Sequence, residues 1–407
     1  MFNNNSNNQQ ADSLASEFPS LEGENVNPKI SSQNDDGPIP RAFSLQSATF
    51  FSARYSFSVT LLHLFALITT ALTFLLLFSG GLVTSKGVGM SVPDWPTTYG
   101  YNMFAFPLSR WVGGVFYEHT HRLLASGIGF LTVILSVITF FVEKRRWVRR
   151  LAFVLLIGVI LQGVLGGLRV TLYKDELGIF HAIVAQTFFA LLLIFSAVTS
   201  RSFFEENWKG DKPAAKLRWL GLTGVVLTYF QLIVAATMRH AHLGLSIPDF
   251  PTAYGNFLPD LSEKAVTAIN AVRLAQGMMP TTACQIELQL LHRGGALLLM
   301  GVVLLLMIRA RELLSEKHWV HRWAFTWGIL LILQAALGAW TIWSNKAADV
   351  ATAHMALGAL LLGGSMLFTF RLFIANKQKE EIYSDGRNED YQGQDFNDDA
   401  VSFPTVS

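Results

Sequence analysis

The sequence predicts an all-α, polytopic membrane protein: eight transmembrane helices arranged as two repeated four-helix bundles, with both termini cytoplasmic. Three observations carry the prediction: an apolar composition, eight long apolar runs, and a motif that occurs twice. Of the 407 residues, 51% are hydrophobic and 15% charged, with a mean hydropathy of +0.37. A soluble chain holds roughly 25% charged residues. A net charge of +2 leaves no electrostatic footprint for nucleic acid. The single cysteine, Cys284, excludes an internal disulfide and a cysteine metal cluster.

Residues 1–56 are rich in Asn, Ser, Gln and acids and read as a disordered cytoplasmic tail. A bilayer crossing takes about 20 mostly apolar residues. Such runs fall at 57–80, 112–142, 151–170 and 178–200, giving an N-terminal half over 57–200. A basic cytoplasmic linker, 201–218, leads to runs at 219–238, 286–308, 323–343 and 350–375, the C-terminal half over 219–375. Residues 376–407 form a second polar, acidic tail. Between the spans, 21 Lys and Arg lie on the side of the termini and 8 on the other, which places both termini in the cytoplasm. The N-terminal tail holds more acids than bases, unlike an Arg-rich transit peptide, and points to a bacterial plasma membrane.

The repeat is legible residue by residue. Gly89 to Gly100 (GMSVPDWPTTYG) matches Gly244 to Gly255 (GLSIPDFPTAYG) at 8 of 12 positions. Leu161-Gln162 with Leu165-Gly166 recurs as Leu333-Gln334 with Leu337-Gly338. Four crossings return the chain to its starting side, so two such halves share one topology. Asp94 and Asp249 in the repeated loops are expected to close turns by local hydrogen bonds.

Four of the ten histidines obey the repeat: His121 with His292, each followed by Arg, and His181 with His354. Each lies within about three turns of the outer end of its span. A lone intramembrane histidine is most simply a helix-packing residue, which suits His63. Two pairs at equal depth, without an acidic or cysteine ligand in the pattern, suit axial ligation of haem iron better than zinc or a proton relay. Arg122 and Arg293 are candidates to receive haem propionates, with snorkelling to the interface as the plain alternative. His119 lacks a repeat partner, and His240 and His242 read as residues of the long outer loop.

The halves differ at one chemically important place. Glu118 stands three residues before His121, whereas Gln289 stands three residues before His292. That spacing puts each on the face of its histidine, one turn outward. A carboxylate can take a proton or stabilise a developing cation, and an amide can only hydrogen-bond. The N-terminal half is thus the expected catalytic half, with an ion pair from Glu118 to Arg122 as the structural alternative.

The segment Glu118-His119-Thr120-His121-Arg122 resembles the Glu-x-x-His-Arg signature of haem A synthases. Gly81-Leu-Val-Thr84 leading into Ser91 to Pro96, Leu161-Gln162 with Gly166-Gly167, and the second-half histidines extend the resemblance over about 57–375. It implies oxidation of the C8 methyl of haem O to the formyl group of haem A, with water as oxygen source. It implies that His121 and His181 flank the iron of the substrate haem O, that Glu118 is the catalytic carboxylate, and that His292 and His354 ligate a haem b. The implied partners are haem O, an unidentified electron acceptor, membrane lipid, the haem O synthase and oxidase assembly proteins. Many bacterial members carry a cysteine pair in the first outer loop, and Val92 and Thr98 stand there instead. A two-haem electron-transfer cytochrome and a haem carrier are the rival readings.

Overall fold

A computed structural model describes residues 57–205 and 208–377. Among them are eight helices long and apolar enough to cross a membrane. These are α1 (Phe57–Ser85), α2 (Gly113–Val142), α3 (Arg146–Thr171), α4 (Asp175–Val198), α5 (Arg218–His240), α6 (Ala283–Leu313), α7 (Trp319–Trp343) and α8 (Ala348–Ala375). The described residues contain no strand, only isolated bridges between Thr98 and Tyr101 and between Ala253 and Asn256. The chain is a multi-pass membrane protein. The tails expected at 1–56 and from 376 onward fall outside the described residues, apart from 376 and 377.

The helices overrun the apolar windows read from the sequence, because backbone pairing continues where the side chains turn polar. α3 begins on Arg146, α6 runs 31 residues through Arg309 and Arg311, and α5 continues to His240. His240 is therefore the buried last residue of a spanning helix and not a loop residue.

In lipid, helices gain little from apolar burial and associate through close packing and interhelical hydrogen bonds. One buried cluster joins Leu62 of α1, Leu135 of α2, Leu155 of α3 and Leu192 of α4. A second joins Leu217 before α5, Val303 of α6, Trp327 of α7 and Phe368 of α8. α8 packs on α1, α4 and α5, so the two groups meet along one seam. Small residues permit this. A Cβ on Gly363 of α8 would lie 2.8 Å from Leu193 of α4, and one on Gly81 of α1 would lie 2.5 Å from Met355 of α8. Thr70 of α1 and Ser196 of α4 share a hydrogen bond of 2.9 Å, a contact that averages about 0.6 kcal/mol in membranes.

The linker after α4 contains the short helices Arg201–Glu205 and Lys212–Ala215. Asp211 caps the second, accepting from the Ala214 amide, and also accepts from His318 Nε2 and Trp319 Nε1 at the start of α7. On the opposite side, the segment between α5 and α6 forms a helix, Glu263–Ala275, capped by Ser262. Its buried Arg273 donates to the carbonyls of Leu245, Ser246 and Met279 and to the Tyr254 hydroxyl. That segment braces the second Pro-Asp loop.

Candidate functional site

The two repeated loops close in the same way. Asp94 accepts from the Thr97 hydroxyl at 2.5 Å and from the amides of Tyr99 and Gly100 at 2.7 and 2.8 Å. Asp249 accepts from Thr252, Tyr254 and Gly255 at 2.7, 2.7 and 3.0 Å. Tyr99 donates to the Ser91 carbonyl, and Tyr254 to that of Ser246. Trp95-Pro96 and Phe250-Pro251 are both cis. Burial alone would raise the Asp94 carboxyl, but the Gly100 amide, the Thr97 hydroxyl and the Tyr99 amide outweigh it and hold it below the usual range. Asp249 is held low by the corresponding three donors against the same burial.

Each loop is tied to the adjoining end of a spanning helix at one residue. Glu118 on α2 is buried; its Oε2 accepts from the Val92 amide at 2.9 Å and its Oε1 from Arg122 Nη2 at 2.7 Å. Gln289 on α6 is equally buried; its Oε1 accepts from the Ile247 amide at 2.8 Å and its Nε2 donates to the Ile247 carbonyl at 3.2 Å. Arg122 donates through Nη1 to the carbonyls of Asp94 and Thr97, and through Nη2 to that of Val92 as well as to Glu118. Arg293 donates through Nη1 to Thr252 and through Nη2 to Asp249, leaving its buried Nε without a partner. Both arginines thus hold loop carbonyls in this structure.

Inward of these ties lie the histidines. His292 and His354 face one another with ring centroids 6.4 Å apart at 78°. Metal–imidazole bonds of about 2 Å on either side of an ion would fill that gap. His354 Nδ1 lies 3.1 Å from the Gln334 carbonyl. A carbonyl only accepts, so Nδ1 carries the proton and Nε2 presents its lone pair, the usual outer support of a metal-bound histidine. His121 stands within electrostatic reach of His181. The Nδ1 atoms of His121, His181 and His292 are buried without a hydrogen-bond partner.

The rings occupy hollows made by glycine. A Cβ on Gly80 of α1 would lie 2.9 Å from His121 Cε1, one on Gly166 of α3 3.3 Å from His181 Cε1, and one on Gly338 of α7 3.1 Å from His354 Cε1. Gln162 donates to the His181 carbonyl at 3.1 Å and Gln334 to the His354 carbonyl at 3.0 Å. The repeated Gln and Gly are visible in the sequence, but their task emerges only from helix contacts. His119 points instead into the loop, its Nδ1 3.1 Å from Thr98 Oγ1 and its ring against Phe106 and Trp111. His63 lies on α1 with Nδ1 3.5 Å from Thr199 Oγ1.

The donor set fits haem. Among the described residues, no three or more His, Cys, Asp and Glu are grouped to hold a metal ion. Two imidazoles per pair are the donor set that an iron already held by a macrocycle would require.

Comparison with known proteins identifies the family. The chain is 26% identical to a heme A synthase of Bacillus licheniformis over 327 residues, covering 77% of this chain and 96% of that protein. A heme A synthase of Shouchella clausii is 26% identical over 316 residues, covering 75% and 93%. One from Staphylococcus haemolyticus is 23% identical over 312 residues, covering 74% and 92%. Residues 63–366, a stretch that enters all eight spanning helices, match the COX15-CtaA family described as cytochrome oxidase assembly protein, and the chain belongs to that family.

Proposed function

We propose that the chain makes haem A from haem O, oxidising the C8 methyl to a formyl group with water as the oxygen source. Methyl plus water gives formyl, four electrons and four protons, so two rounds of oxidation are needed and an external electron acceptor takes the electrons. In this reading His121 and His181 flank the substrate haem, while His292 and His354 hold a resident haem b. Haem b, when bound there, supplies a one-electron redox centre.

The carrying observation is the exchange of Glu118 for Gln289. Both tie a loop amide to a helix, so the fold needs a hydrogen-bonding side chain there, not a charge. The charge at 118 is then available for chemistry. Its carboxylate, fixed by the Val92 amide and Arg122, stabilises positive charge developing at the methyl carbon and accepts a proton from water.

In the same reading the chain is two repeated four-helix halves in a bacterial plasma membrane, termini cytoplasmic and histidines toward the outer leaflet. The matching loop hydrogen bonds and the Lys and Arg distribution support this. The haem O synthase and oxidase assembly proteins are its expected partners.

The test is chromatography of haems extracted after expressing the chain with a haem O supply in a host that makes no haem A. Haem A or its hydroxymethyl precursor is the expected product. A folded protein yielding only haem b and unchanged haem O would leave an electron-transfer cytochrome or a haem carrier.

A further inference from the structure

We propose that Arg169 is the anchor for the haem carboxylates at the first histidine pair. The inference rests on the reading that this pair binds haem. Arg122, the sequence candidate, has both Nη groups committed, four donations in all, to Glu118 and three loop carbonyls. Arg169 has donors to spare. Its Nε is buried without a hydrogen-bond partner, and its Nη2 meets only Asp175 Oδ1, at 3.4 Å, on a side chain 55% exposed.

Its position follows from two helices at once. On α3, Arg169 lies three residues beyond Gly166, the glycine against which the His181 ring rests, and so one turn outward on that face. On α4, Gly178 lies three residues before His181, one turn outward again; a Cβ there would stand 3.0 Å from Arg169 Nε. A Cβ on Gly89 in the first outer loop would stand 3.0 Å from Arg169 Nη1. Two glycines thus admit the guanidinium close against their backbones, and it is within electrostatic reach of both His121 and His181. His240 of α5 closes the other side, its ring 2.6 Å from the same Gly178 Cβ position. A cation with free planar donors, one turn outward of an iron ligand, suits a carboxylate on the outer edge of the macrocycle. At the repeat offset of 172 the second half has Thr341, which spends its hydroxyl on the Leu337 carbonyl. The second half therefore has no arginine at this place.

The test titrates the purified full-length chain with haem b and with its dimethyl ester, following Soret absorbance. His121→Ala identifies which of the binding steps belongs to the first pair. At that step the wild type should prefer the free acid over the ester on the order of 10- to 100-fold. Arg169→Gln should erase the preference while leaving ester affinity within about twofold, and the second step should not change. Retained preference in Arg169→Gln overturns the proposal, as does an equal loss of acid and ester, which would mark a packing role. If Arg169→Gln takes up neither compound, Arg169→Lys decides: a surviving preference for the acid supports the anchor, and its absence overturns it. Wild-type chain that binds neither acid nor ester would instead overturn the haem reading itself.

Discussion

The two Pro-Asp loops reach the same shape by different supports. In the first, the loop is pinned by a carboxylate, Glu118, which also pairs with Arg122, and it rests on His119 through Thr98 and the rings of Phe106 and Trp111. In the second, an amide, Gln289, does the pinning; Ile247, Ala253 and Ile286 form an apolar floor, and Arg273 braces the loop from its own inserted helix. The shared features are those that geometry requires: an aspartate collecting two amides and a hydroxyl, and a side chain receiving the amide of Val92 or Ile247. The differing features fall around the first histidine pair. Glu118, Arg169 and Gly80 stand there, the last where the offset of 155 puts Ala235 in the second half. The contrast bears directly on the proposed division between a half that holds a group and a half that acts on one.

The sharpest way to break that contrast is to make the halves alike at 118 and 289. Glu118→Gln is expected to lose on the order of 100-fold or more in haem A formation, the scale of a removed acid–base group. Gln289 shows that an amide can keep the loop tie, so the variant should stay folded, with unchanged haem content by pyridine haemochrome assay. Normal haem A yield from a folded Glu118→Gln chain would make the two halves chemically equivalent and remove the proposed role of the carboxylate.

A smaller effect is expected at the glycine hollows. A methyl on Gly80 would stand 2.9 Å from the His121 ring, closer than side chains tolerate, and the ring must move. Overpacking of this kind costs about 1–3 kcal/mol, or roughly 5- to 150-fold in affinity at the first pair. Gly338→Ala, at 3.1 Å from the His354 ring, should weaken the second pair less and leave the first unchanged. Soret titration of both variants checks this, and equal effects of Gly80→Ala on both steps would show that the two hollows are mechanically coupled.

The spans and the candidate histidines are legible in the sequence for physical reasons. The eight spans are legible because bilayer thickness sets a length that composition must match. The histidine pairs are legible because duplication separates a requirement from an accident, and the exchange of Glu118 for Gln289 stands out against that duplication. The helix ends were not legible, since α3 and α6 continue into arginines where hydropathy has already fallen. Arg122 and Arg293 show the limit of spacing: sequence places them beside the histidines, but only the folded loops reveal carbonyls within 2.6–3.2 Å of their Nη groups. Arg169 and His240 escaped because neither has a repeat partner and their neighbours come from helices distant in sequence. The 258–285 segment carries no motif, yet Arg273 within it donates to the Leu245 and Ser246 carbonyls and to the Tyr254 hydroxyl.

The smallest expected effect tests whether Arg273 matters to that difference. Asp94 and Asp249 are both held below the ordinary carboxylate range by their hydrogen-bond donors. A depressed native value means that their contribution is fully present above the unfolded value of about 3.9 and is lost as pH falls through the native one. Both loops should therefore be intact at pH 5 and loosen only in stronger acid. The first loop should loosen sooner, because the second keeps the donations from Arg273 to the Leu245 and Ser246 carbonyls, which do not pass through Asp249. Hydrogen exchange of peptides covering 91–101 and 246–256, corrected for intrinsic rates, reads the order directly. Arg273→Ala should bring the acid response of the second loop to that of the first. If the second loop of that variant still outlasts the first, its durability comes from the apolar floor of Ile247, Ala253 and Ile286, and the inserted helix serves some other end.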